Sequence, residues 1–178
     1  MLLLWSLRGQ SLQCNELEKG YFNSGVLLIN TLAWAQESVS AKAMSMLADK
    51  AIVSRLTYMD QDILNLILLG KVKFIDAKYN TQFSLNYELK KSFVCPINDE
   101  TVLIHYVGPT KPWHYWAGYP SAQPFIKAKE ASPWKNEPLM RPVNSNYARY
   151  CAKHNFKQNK PINGIMNYIY YFYLKIIK

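Results

Sequence analysis

The sequence predicts an α/β body with a mainly parallel sheet, followed by a helical appendix that is basic and aromatic. Three observations predict it. Short continuous apolar runs, such as VLLI at 26–29, alternate with stretches of helical periodicity. The seven glycines and nine prolines are dispersed, with no low-complexity tract or repeat. All twelve acidic residues precede Pro138, whereas Arg141, Arg149, Lys153, Lys157, Lys160, Lys175 and Lys178 follow it.

Each element has its own signal. Residues 1–5 are apolar, but Arg8 interrupts the run too early for a signal-peptide core or a membrane span, so no export is expected. This start either packs against the body or is an end created by truncation. Residues 21–25 lead into Val26, Leu27, Leu28, Ile29 and Asn30, a run that suits a strand buried on both faces. Val39, Ala43, Met46 and Leu47 space one face of a helix over residues 38–49, with Ser38 as its cap. Asp60 is placed to cap a helix over 61–69 that ends at Gly70. Strands follow at 72–75 and 101–107, the latter stopped by Gly108 and Pro109. Beyond Trp113 the chain turns to loops punctuated by Pro120, Pro124, Pro133, Pro138 and Pro142. Helix resumes from Asn144 to Phe156, breaks near Pro161 and Gly164, and continues to the end. A domain boundary is expected near 130–135.

Composition narrows the class. A chain of 178 residues with 49% hydrophobic content holds one domain with a core. Cys14, Cys95 and Cys151 are scattered, without CxxC spacing, so neither a zinc site nor a disulfide framework is indicated; a reducing cytoplasm is the simplest setting. The net charge of +9 is concentrated in the tail, a module suited to nucleic acid, anionic lipid or a phosphorylated glycan. Tyr168, Tyr170, Tyr171, Phe172 and Tyr173 form an aromatic cluster too short and polar to span a bilayer. With Lys175 and Lys178 it suits a helix lying at a membrane surface; a terminal helix packed on the body explains it equally well.

The stretch DQD at 60–62 looks at first like a metal clamp, yet an apolar helical run follows at once. From the residues alone, Asp60 caps that helix and Asp62 complements the dipole of its first turn. His105, at the end of an apolar strand, is by itself a structural histidine. Gly108 lets backbone come close to a ligand, and Pro109, Pro112 and Trp113 hold Lys111 rather than leaving it in a solvated loop.

Three pieces combine in order: YFNSGVLLIN at 21–30, DQDILN at 60–65 and HYVGPTKPW at 105–113. Together they resemble glycosyltransferase family 8, the retaining enzymes that move a hexose from a nucleotide sugar. KAMSMLAD at 42–49, YNTQFSLNYELKKS at 79–92 and NGIMNYIYYFYLK at 163–175 are similar to the bacterial lipopolysaccharide core α-hexosyltransferases within it. The resemblance runs from Gly20 to Lys178. It implies the C-terminal part of a GT-A (Rossmann-like) fold with an incomplete sheet. Residues 1–20 are then an atypical or truncated start, 21–130 the C-terminal portion of the catalytic domain, and 131–178 the helical, basic, aromatic C-terminal domain.

The resemblance also implies roles. Asp60 binds hydroxyls of the donor sugar, and Gln61 sits beside the anomeric carbon, where its oxygen stabilises developing positive charge; Asp60 as a covalent nucleophile is the alternative. Asn23, Ser24, Gly108 and Lys111 bind the UDP-hexose donor, glucose or galactose. Tyr58, Asn80 and Gln82 line the acceptor wall. His105 becomes one ligand of Mn²⁺ or Mg²⁺, in a site that this chain leaves incomplete because the DxD carboxylates belong to a missing N-terminal half. The acceptor is the lipid A-linked core oligosaccharide, reached by a cytoplasmic enzyme peripheral at the inner membrane. The competing reading is an inactive module that keeps acceptor and membrane affinity. Nucleic-acid binding ranks last, since the basic residues carry no nucleic-acid motif. Exposed strand edges and apolar faces predict poor solubility of the isolated chain.

Overall fold

A computed structural model describes residues 2–177, and within them the side chains of residues 2–5 lie outside the description. The expectations for the packing of residues 1–5 and for Lys178 therefore fall outside the described residues. The chain divides into two compact units, Met1–Asp76 and Ala77–Lys178.

The first unit is helical, with α1 (Leu2–Leu12), α2 (Thr31–Gln36), α3 (Val39–Ala48), α4 (Lys50–Val53) and α5 (Met59–Ile67). Leu12, Leu17 and Tyr21 form its buried cluster, joined by Leu56, Leu66 and Leu69. α3 lies where the apolar spacing put it, but Ser38 does not cap it. Ser38 adopts a left-handed backbone (φ 52°) and makes no side-chain cap, because its N–H closes the end of α2 on Ala35 O. At α2 a side chain does cap: Asn30 accepts from Ala33 N. α5 begins at Met59, so Asp60 lies inside its first turn and the cap position belongs to Tyr58. Gly70, at φ 72°, follows the end of α5 by three residues and turns the chain away.

The apolar runs at 26–30 and 72–75 form no strand among the described residues. Leu28 is 96% exposed, and Leu27, Ile29, Phe74 and Ile75 are exposed as well. A strand buried on both faces needs hydrogen-bonding neighbours and two covering layers, and nothing in this unit supplies them.

In the second unit, β1 (Thr81–Phe83) and β2 (Ile104–Tyr106) pair in parallel, with Gln82 opposite His105. The α/β class and parallel pairing are present, in a sheet of two strands. The run 101–107 contributes only its centre to β2, since Val102 and Leu103 both donate to Lys78 O instead of to a ladder. Phe83, Leu85, Ala117, Tyr119 and Ala122 make the core beneath.

α6 (Gln123–Glu130), α7 (Ser145–Lys157) and α8 (Pro161–Ile176) complete the unit. Asn144 caps α7 through a bond from Tyr147 N, and Pro161 opens α8, where its missing N–H costs nothing. The break falls at residues 158–160, with Asn159 at φ 57°. Gly164 is not part of it: it sits inside α8, where a Cβ would come within 2.6 Å of the Phe156 ring. α7 and α8 pack on one another.

Candidate functional site

In the first unit a hydrogen-bonded group forms around Gln61, where the start of α5 meets residues 21–24. Gln61 Oε1 accepts from Asn23 Nδ2 (2.8 Å) and from Ser24 N (3.2 Å). A backbone N–H only donates, so the amide oxygen must face Ser24. The Gln61 NH₂ then donates to Tyr21 OH (2.9 Å), and that hydroxyl donates to Asp62 Oδ1 (2.6 Å). Ser24 Oγ donates to Asp60 Oδ2 at 2.7 Å, holding an exposed carboxylate beside the amide. Asn65 locks the approach of the two segments by bonding Phe22 N, Phe22 O and Gln61 O.

Asp62 anchors the group. Its carboxylate is fully buried and accepts from Arg8, Tyr21, Thr57 N and Tyr58 N. Burial pushes its pKa up, but these donors outweigh burial and hold it below the ordinary range. Burial and the neighbouring carboxylate push the Tyr21 hydroxyl well above its usual value, so it stays a donor. The structural role assigned to Asp62 by sequence is the one observed. Tyr58 is 47% exposed, with the Arg8 guanidinium 5.7 Å from its ring centre.

In the second unit, Asn80, Gln82 and His105 lie together at the parallel strand pair. His105 Nδ1 is 3.1 Å from Asn80 Oδ1, so Nδ1 carries the proton and Nε2 the lone pair. Burial and then Lys111 lower its pKa, favouring the neutral ring. Gly108 has φ 81°, and a Cβ there would meet Ser84 Oγ at 2.8 Å, so this position requires glycine. Lys111 is held as its prolines suggested: Nζ donates to Tyr106 O and lies 5.9 Å from the Trp113 ring centre.

Two further histidines fasten this loop. His114 Nδ1 accepts from Lys111 N at 3.1 Å. His154, from α7, meets Thr110 Oγ1 (3.0 Å) and Asn86 Oδ1 (3.1 Å) through Nε2 and Tyr119 OH (2.7 Å) through Nδ1. Burial is the main cause that lowers each ring to about 4.

Sequence reasoning did not single out Arg8, Tyr21, Asn65, His114 or His154. Arg8 had a signal, being the only charged side chain in the first fifteen residues of the sequence. His154 had none, because its partners are 35 to 68 positions away.

Few groups here could hold a divalent cation. His105 offers one neutral nitrogen, and no group of three His, Cys, Asp or Glu side chains gathers among the described residues. That is one ligand, without the carboxylates that a hard cation favours.

Comparison with known proteins gives the family. The model of glycosyl transferase family 8 matches residues 2–117, and that of the family 8 C-terminal region matches residues 119–175. The chain belongs to glycosyl transferase family 8. Among family 8 relatives, the lipopolysaccharide glucosyltransferase WaaO of Escherichia coli (strain K12) is 54% identical over 97% of this chain and 51% of its own length. A lipopolysaccharide 1,3-galactosyltransferase of Salmonella typhimurium is 50% identical over 98% of this chain and 52% of its own. A lipopolysaccharide 1,2-glucosyltransferase of Escherichia coli is 40% identical over 91% and 49%. The chain thus spans about half the length of these curated relatives. No solved structure gives a significant match.

Proposed function

We propose that this chain is part of a retaining hexosyltransferase of GT-A type that moves glucose or galactose from UDP onto the lipopolysaccharide core oligosaccharide. The observation that carries the reading is the ordered group around Gln61. Its amide oxygen accepts from Asn23 Nδ2 and Ser24 N, which fixes the orientation of the amide before a donor arrives. When the bond from the anomeric carbon to UDP breaks, positive charge develops on the sugar, and a dipole held beforehand stabilises it without reorganising. Asp60, exposed and steadied by Ser24, binds sugar hydroxyls, while Asn23 and Ser24 contact the same sugar. Tyr58, Asn80 and Gln82 are assigned to the acceptor. Gly108 and Lys111 serve the diphosphate, and His105 would hold Mn²⁺ or Mg²⁺ with ligands from outside these residues. That cation would offset charge on the departing UDP.

The acceptor is lipid-anchored, and the appendix suits a surface position at the inner membrane. On α8, Ile162, Ile165, Ile169, Phe172 and Ile176 are all exposed at spacings of three and four, with basic residues nearby and no acid after Glu137. No helix among the described residues is long and apolar enough to cross a membrane. A second reading is an inactive acceptor- and membrane-binding module, since no group of three His, Cys, Asp or Glu side chains gathers among the described residues.

Titration of the purified chain with UDP, with and without Mn²⁺, separates the two. Metal-dependent binding that is lost in His105→Ala, followed by transfer from UDP-glucose or UDP-galactose that is lost in Gln61→Ala, supports the transferase. A folded chain that ignores UDP but binds acceptor is the module.

A further inference from the structure

α7 carries Lys153, Phe156 and Lys157 at helical spacings of three and four, so the three share one face, with the Lys153 ammonium 5.9 Å from the Tyr150 ring centre. With Leu89 from the 3₁₀ turn Leu85–Leu89 and Tyr168 from α8, these residues line a shallow, open cleft of about 400 Å³. That is within the range of about 300–1,000 Å³ usual for small-molecule sites. Its floor is a pair of rings, Phe156 and Tyr168, with centres 5.9 Å apart and planes tilted by 34°.

The floor depends on Gly164. Any Cβ at that position would overlap the Phe156 ring, at 2.6 to 2.8 Å. The rim is also built. Lys157 Nζ donates to Lys90 O at 2.9 Å, which fixes one ammonium while leaving two of its protons for another partner. Lys90 Nζ itself sits 4.4 Å from the Tyr87 ring centre. No acidic residue after Glu137 competes for these cations.

An apolar ring floor takes the C–H face of a sugar, and lysines at the rim take phosphate as point charges. We propose that this cleft is a subsite for the phosphorylated part of the oligosaccharide acceptor. The identity of the acceptor rests on the hexosyltransferase reading above. A lipid surface matches the exposed apolar stripe of α8, none of whose residues lines this cleft.

The test uses the full 178-residue chain and lipopolysaccharide that has been deacylated but keeps its phosphates, titrated by calorimetry. The same oligosaccharide treated with phosphatase is the comparison. The phosphorylated form is expected to bind at least about tenfold more tightly, as loss of one charge-assisted contact implies. Lys153→Gln and Lys157→Gln are each expected to weaken the phosphorylated form by a similar factor and the dephosphorylated form little. Gly164→Ala, which pushes Phe156 aside, should weaken both; melting temperatures identify any variant that fails to fold. Equal binding of the two oligosaccharides, unchanged binding by the lysine variants, or displacement by single-stranded DNA at equal phosphate concentration overturns the subsite. None of these arms involves UDP, so failure here is distinct from failure of the transferase reading.

Discussion

Asp60 and Asp62 are one residue apart and chemically the same, yet their environments give them opposite roles. Asp62 is buried with Arg8, which is itself only 6% exposed, whereas Asp60 is exposed. Asp62→Asn removes the counter-charge of a buried guanidinium, and the expected loss is about 3–5 kcal/mol of stability. Asp60→Asn should change stability by no more than about 0.5 kcal/mol. Urea denaturation of the two variants checks the contrast, and equal losses would contradict it. The acid limb follows from the same residue. Its folded pKa is depressed, so its contribution is full above the unfolded value of about 3.9 and is lost as pH falls through the folded one. A structural place for Asp62 in the first turn of its helix was legible in the sequence, but its burial against Arg8 and Tyr21 was not, because they reach it from 54 and 41 positions away.

Among elements, the loop from Gly108 to His114 is fastened to α7 by imidazoles rather than by sheet pairing. His114 and His154 are both neutral, at about 4, and lie among Lys111, Lys153, Thr110, Tyr119 and Asn86. A histidine whose folded pKa is depressed stabilises fully above its unfolded value of about 6.5, and that contribution is lost as pH falls toward the folded one. Stability should therefore fall between about pH 6.5 and 4, with a slope approaching 1.4 kcal/mol per pH unit for each ring. Urea midpoints across that range measure it, and His154→Gln should flatten the slope. A profile unchanged by the substitution would remove His154 from the account. Helices were more legible than strands here. α3, α5, α7 and α8 follow apolar periodicity, and α7 also its expected Asn144 start, signals held within a few residues, whereas the runs at 26–30 and 72–75 needed partners that periodicity does not reveal.

At the scale of the molecule, the stripe on α8 and the cationic appendix predict binding to anionic vesicles that weakens as salt rises. Ile165→Glu with Ile169→Glu, on residues that are 53% and 58% exposed, should abolish co-sedimentation while leaving the melting temperature nearly unchanged. Retained binding would assign the stripe to another partner. The exposed apolar residues of the first unit, Leu28 and Leu32 above all, agree with the expectation of poor solubility. By itself the sequence determined the family, through three motifs in order, and also the helical appendix and the charge asymmetry, because motif order, periodicity and charge are local properties of the chain. Only the tertiary structure decided which strands exist, which carboxylate is buried, and how Tyr21 and Ser24 orient the Gln61 amide, because each depends on groups that meet across long separations.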